Sequence, residues 1–168
     1  MRNIVLVGFM GTGKTEVAVA IAEKLAMSYV SADKLIEKKE KTSIKEIFAK
    51  NGEAYFRKVE KEVIAEASSL ENAVIDTGGG VVIDPENVKN LKKNGILICL
   101  WADPEVIFKR TEKYSHRPLL KVRRPIDTIK ELLDIRKPFY ERADYHINTS
   151  KMSIKEVVHQ AERIIKNG

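Results

Sequence analysis

The chain has 168 residues, 43% apolar and 32% charged, with 30 basic against 24 acidic side chains and a formal charge of +6. That length buries one core, and the composition excludes a disordered or collagen-like polymer. No apolar run is long enough to cross a bilayer. The basic excess is interleaved with acids, as in Glu37-Lys38-Lys39-Glu40-Lys41, which marks solvated helix faces; a nucleic-acid-binding module would rest on net charge alone.

In chain order, residues 3–7 form a short, wholly apolar strand of the kind buried in a parallel sheet. A helix runs from about Lys14, with Val17, Ile21 and Leu25 on one face. Residues 28–31 make a second strand. Helices then fit residues 34–40, 44–50 and 53–69. A third strand, 73–76, ends in Thr77-Gly78-Gly79-Gly80. Asp84-Pro85-Glu86 and Asp103-Pro104-Glu105 are helix starts, an acidic N-cap followed by proline where its missing N–H costs nothing. The strand 96–101 lies between those helices and contains Cys99, the single cysteine. It excludes an internal disulfide and reads as a small core residue. A helix over about 126–141, a strand over 145–148 and a closing helix complete the chain. The closing helix carries Ile154, Val157, Val158, Ala161, Ile164 and Ile165 on one stripe. His116, His146 and His159 are too scattered for a metal site.

This alternation predicts a single α/β domain over residues 1–168, three layers deep, with a parallel sheet covered on both faces. Ligands of such sheets bind at the carboxyl ends of the strands. The loops after Val7, Ser31, Asp76, and Trp101 or Asn148 are therefore the ones to examine. A short first apolar run ending in a glycine loop excludes a secretory leader within these residues and predicts a cytoplasmic enzyme.

Gly8-Phe9-Met10-Gly11-Thr12-Gly13-Lys14-Thr15 matches G-x-x-x-x-G-K-[ST] in full, between an apolar strand and an amphipathic helix. Glycines let backbone N–H groups converge on phosphate oxygens, and the helix N-terminus adds partial positive charge. Gly11, Thr12, Gly13, Lys14 and Thr15 are thus expected to bind nucleotide. Lys14 would reach the β- and γ-phosphates of ATP, and the Thr15 hydroxyl would ligate Mg²⁺. A glycine turn that binds nothing is the competing reading, and the full match in this setting disfavours it.

The acceptor is less plainly written. Asp33 is either an N-cap for a helix beginning at Lys34 or a site carboxylate. Arg57 is either a surface residue or a site arginine. The run Gly78-Gly79-Gly80 is either a tight turn or a place where backbone approaches a ligand. Ile129, Leu132 and Leu133 put the next inward helix position at Arg136, where an arginine either snorkels or pairs with a charge in a cleft.

Taken together, these pieces resemble the shikimate kinase family over nearly the whole chain. The resemblance is carried by Gly8-Phe9-Met10-Gly11, Asp33-Lys34-Leu35-Ile36-Glu37 and Gly52-Glu53-Ala54-Tyr55-Phe56-Arg57-Lys58 with Glu60. It continues through Gly78-Gly79-Gly80, Arg117-Pro118-Leu119-Leu120 and Arg136-Lys137-Pro138-Phe139-Tyr140. It implies a P-loop, nucleoside-monophosphate-kinase-like fold with a five-stranded parallel sheet. It also implies transfer of the ATP γ-phosphoryl group to the 3-hydroxyl of shikimate, a step toward chorismate and the aromatic amino acids. Position by position, Asp33 would bind the shikimate hydroxyls and orient or deprotonate the attacking one. Arg57 and Arg136 would hold its carboxylate, and the Gly78–Gly80 backbone would contact its ring. Arg110 would flank adenine, with the segment after Asn148. Arg117 would reach the ATP phosphates from a lid over about 112–124. Lys14, Asp33 and Arg117 would be the catalytic set, in a protein expected to be monomeric, with no nucleic-acid or membrane partner.

The chain departs from the family at Ser31, where members usually carry an aspartate that organises magnesium through water. Asp76, ending the third strand, stands where many P-loop enzymes place a magnesium-organising carboxylate. Glu16 is a second departure, favourable with the helix dipole. A gluconate-type or other P-loop small-molecule kinase shares the fold and is the alternative enzyme. A nucleotide- or shikimate-binding protein without catalysis is the alternative of another class.

Overall fold

The computed structural model describes residues 1–112 and 123–167. Five strands, β1 (Asn3–Val7), β2 (Ser28–Ser31), β3 (Ala73–Asp76), β4 (Gly95–Trp101) and β5 (Tyr145–Asn148), make one parallel sheet in the order β2-β3-β1-β4-β5. Successive side chains of β1 serve opposite faces, as strand geometry requires. Ile4 and Leu6 join a cluster with Val17, Ile21, Val157 and Ala161. Val5 and Val7 join one with Ile64, Leu91 and Ile107. The expected layering of helices on both faces follows from that alternation.

The helices are α1 (Lys14–Leu25), α2 (Ala32–Glu40), α3 (Ile44–Ser68), α4 (Pro85–Asn94), α5 (Pro104–Thr111), α6 (Pro125–Tyr140) and α7 (Ile154–Asn167). Fully burying Ile21 of α1 is worth roughly 2 kcal/mol. Within α3, Gly52 is non-helical (φ 81°, ψ 176°), so the two helices expected over 44–50 and 53–69 meet at a kink. Beyond it, Phe56, Val59 and Val63 pack with Ile36 and Ile47 in a small core of their own.

Three local expectations need correction. α2 begins at Ala32, not Lys34, because the Ser31 hydroxyl accepts the Lys34 N–H at 3.3 Å and caps it. Asp33 therefore lies in the first turn and is not the N-cap. Asp84 caps α4 through its side chain, whereas Asp103 makes no side-chain cap bond at α5. Ile154 is 47% exposed, so the stripe of α7 begins at Val157, with Val158 and Ala161 buried and Ile164 and Ile165 half-buried against the same cluster. Among the described residues no helix is long and apolar enough to cross a membrane.

Candidate active site

The β1–α1 loop takes its shape from backbone conformation. Gly8, Gly11 and Gly13 have φ of 140°, 74° and 94°. A Cβ at Gly8 would strike the Leu100 carbonyl, so close packing against β4 demands glycine there as firmly as the dihedral does. Gly13 is the N-cap of α1 and offers no side-chain acceptor, leaving the first-turn N–H groups for an anion. The Phe9 carbonyl accepts from Thr12 Oγ1 at 2.8 Å and Lys14 Nζ at 3.0 Å, which braces the loop around its lysine.

This loop walls a cavity of about 720 Å³. Beside Lys14 and Thr15, the cavity is lined by Arg110, Thr149 and Met152 toward one end and by Ser31, Asp33, Gly78 and Gly79 toward the other. Arg110 is pinned to backbone and hydroxyl oxygens. It donates to Gly11 O at 3.3 Å, Thr149 Oγ1 at 3.0 Å and Thr149 O at 2.8 Å. Thr149 in turn donates to Thr12 O at 3.0 Å. The sheet-edge rule pointed to the segment after Asn148; the buried Thr149, which links it to the phosphate loop, had no motif to announce it.

At the other end, the glycine turn after β3 meets the expected acceptor residues one by one. A Cβ built on Gly78 would lie 3.2 Å from Asp33 Oδ1, and one on Gly79 would lie 3.5 Å from Arg136 Nη1. On Gly80 it would lie 2.5 Å from Arg57 Nη2. The turn thus brings together an aspartate from α2, an arginine from α3 and an arginine from α6. At Gly80 the missing side chain gives the Arg57 guanidinium its room, whereas at Gly79 a methyl group would make only ordinary contact. Arg136 stacks over the Phe9 ring at 5.3 Å, which carries it to the edge of the phosphate loop. Arg57 pairs with Glu60 at 2.8 Å and Glu53 at 3.4 Å. Glu60 is 2% exposed; burial pushes its carboxyl above the ordinary range, and the Arg57 charge opposes that rise.

The Thr15 hydroxyl donates to Asp76 Oδ2 at 2.7 Å, and the Tyr29 phenol donates to the same oxygen at 3.2 Å. Burial, then the Asp76 charge, holds the Tyr29 phenol above its usual range. Strand register pairs Ser31 with Asp76. Hydroxyl and carboxylate oxygens are the donors a magnesium ion takes, with phosphate oxygens and water completing its shell. Among the described residues no three His, Cys, Asp or Glu side chains gather to hold a metal unaided. Tyr29 had no signal in the sequence. Cys99 is buried, its thiol pushed up to about 12 by desolvation against the nearby Lys14 charge, in keeping with a core role. Arg117, and with it most of the expected lid, lies outside the described residues.

A sequence profile of the family described as "Shikimate kinase" matches residues 10–166. The chain belongs to the shikimate kinase family. It is 51% identical over 166 residues to a shikimate kinase of Caldanaerobacter subterraneus subsp. tengcongensis, covering 99% of this chain and 95% of that one. A solved shikimate kinase from Acinetobacter baumannii, in complex with shikimate, superposes with a TM-score of 0.92 at 37% identity, over 99% of this chain and 94% of that one. A gluconokinase from Sinorhizobium meliloti aligns at a TM-score of 0.62 and 15% identity, over 99% of this chain and 94% of that one; that likeness shows the P-loop kinase fold alone. Shikimate kinases are ATP-dependent transferases, so family membership carries ATP as co-substrate.

Proposed function

We propose that the chain transfers the γ-phosphoryl group of ATP to the 3-hydroxyl of shikimate, giving shikimate 3-phosphate and ADP. The observation that carries the reading is the glycine turn, which borders Asp33, Arg136 and Arg57; Asp33, Gly78 and Gly79 line the cavity with the phosphate loop, while Arg57 and Arg136 are not among its described lining residues. Shikimate offers one carboxylate and three hydroxyls. Two guanidinium groups supply forked donors suited to the carboxylate. Asp33 aims the attacking hydroxyl and accepts its proton as the new O–P bond forms and the bond to ADP breaks. Lys14 offsets the charge that develops on the transferred group. Arg117 would add to this from the lid segment. Arg110 would flank adenine, its guanidinium already fixed to Gly11 and Thr149.

Magnesium, when bound, would supply charge neutralisation for the phosphates. Thr15 would ligate it. Asp76, which accepts a hydrogen bond from the Thr15 hydroxyl, would leave that hydroxyl's lone pairs for the metal and take the organising role that Ser31 cannot. Asp76→Asn should therefore raise the free-magnesium requirement well above the parent's, read both as turnover and as Mn²⁺ binding followed by electron paramagnetic resonance. Unchanged metal dependence in both would remove Asp76 from the site.

The activity is tested by coupled ADP release with shikimate, gluconate and nucleoside monophosphates offered in parallel. Turnover confined to shikimate is expected; preference for gluconate or a nucleotide would replace the acceptor, and no turnover with any would favour the binding-protein reading. We take the working unit to be a monomer without nucleic-acid affinity, to be checked by light scattering and by a salt-titrated binding assay.

A further inference from the structure

The carbonyls of the glycine turn and the 3-10 turn that follows it are tied from three directions. Tyr140 Oη donates to Gly79 O at 2.7 Å, Asn87 Nδ2 to Val81 O at 3.2 Å, and Arg142 Nη1 to Val82 O at 3.0 Å. The first tie differs in kind from the others. Tyr140 stands one turn after Arg136 on α6, and residues at i and i+4 share a helix face. The Arg136 guanidinium borders Gly79 as well, and its charge acts on the same phenol. The phenol that bonds the turn's backbone thus stands where an acceptor arginine also meets that turn.

We propose that Tyr140 is a positioning residue, whose hydroxyl locks Arg136 to Gly79 and so fixes the span between the carboxylate clamp and the turn that meets the acceptor ring. A phenol is suited to this because it donates one hydrogen and accepts at the same atom. The Phe9 ring confines one face of the guanidinium at 5.3 Å, and the phenol confines its direction. Without the hydroxyl, Arg136 keeps its charge but regains rotamer freedom that binding must then remove. Burial pushes the phenol up to about 12, so the hydrogen stays on the oxygen across the working range of pH.

The inference rests on the proposed acceptor, and the test separates the two. Wild type is first shown to phosphorylate shikimate; failure there removes the function and leaves Tyr140 with nothing to position. Tyr140→Phe, which keeps the ring in its place, should then raise the shikimate KM about tenfold while the ATP KM and kcat stay within about twofold. Both constants are read well below the variant's own Tm. An unchanged shikimate KM, or an equal rise for ATP, overturns the proposal. A double-mutant cycle gives the second arm. In an Arg136→Ala background, Tyr140→Phe should cost little further shikimate affinity, read by equilibrium titration. A full additive loss would show that the hydroxyl acts other than through Arg136 and would overturn the proposal as well.

Discussion

The two ends of the cavity are built on different plans. The phosphate end is backbone: a contiguous loop whose glycines have positive φ, Gly8 set against the β4 backbone and Gly11 against α5, braced by bonds to the Phe9 carbonyl. The acceptor end is a glycine turn with the Asp33 side chain of α2 in the cavity wall and the side chains of Arg57 from α3 and Arg136 from α6 set against that turn, over a small separate core around Phe56. Where backbone makes the site, the neighbours of a glycine are rigid. Where side chains make it, the neighbours can yield. A change at the first end should break the fold of the site, and a change at the second should alter only what it holds.

The same substitution at both ends puts this most sharply. Gly8→Ala sets a Cβ against the Leu100 carbonyl in a dihedral that alanine rarely adopts. It should cost about 3 kcal/mol or more and abolish ATP binding, measured by thermal unfolding and nucleotide titration. Gly80→Ala meets only the flexible tip of Arg57. It should cost under about 1 kcal/mol and raise the shikimate KM about tenfold with ATP binding intact. Similar stability losses at both positions would erase the contrast.

Next in size are the arginines. Arg57→Ala and Arg136→Ala should each weaken shikimate binding by roughly 10- to 100-fold, the range for a charge-assisted hydrogen bond, and leave ATP affinity nearly normal. Equal loss of both ligands would argue against the carboxylate assignment.

The smallest effect concerns Glu60. Its carboxyl is raised by burial, so the folded chain holds that proton more tightly than the unfolded chain. Stability from this group is therefore highest at acid pH and declines as pH climbs from the ordinary glutamate value of 4.5 through the raised one. Glu60→Gln lacks that decline. Its Tm should fall less than wild type's across that window, read by thermal unfolding at a series of pH values. Parallel Tm profiles would mean the carboxylate carries no burial penalty.

The contrast between the two ends also explains what the sequence could disclose. The phosphate loop was legible because its function needs consecutive residues in fixed backbone states, and such a requirement leaves a contiguous motif. The strands were legible because apolar runs of that length bury only in a covered sheet. Asp33, Arg57 and Arg136 could be singled out by pattern but brought together only through the family resemblance, because their meeting depends on how three helices cross the sheet edge. The α2 start was misplaced because Ser31 and Asp33 are both good caps and only geometry decides between them. Tyr140 stood in the Arg136-Lys137-Pro138-Phe139-Tyr140 motif, but its contacts, like those of Tyr29 within β2, left no trace, since a tyrosine in a strand or at a helix end is ordinary packing until its hydroxyl is located. The segment carrying Arg117 lies outside the described residues, so the lid expectation stands on the motif alone.

The lateral pairing of Ser31 with Asp76 has a consequence of its own. In a parallel sheet, partnered residues sit at one level and project from one face, only about 4.8 Å apart. A charge can therefore migrate sideways by one strand through two point changes, with no loop rebuilt and no helix shifted. Enzymes of this architecture can exchange which strand supplies a given group while the ligand stays put, so a tally of column-by-column identity would report a loss where the chemistry has merely stepped across.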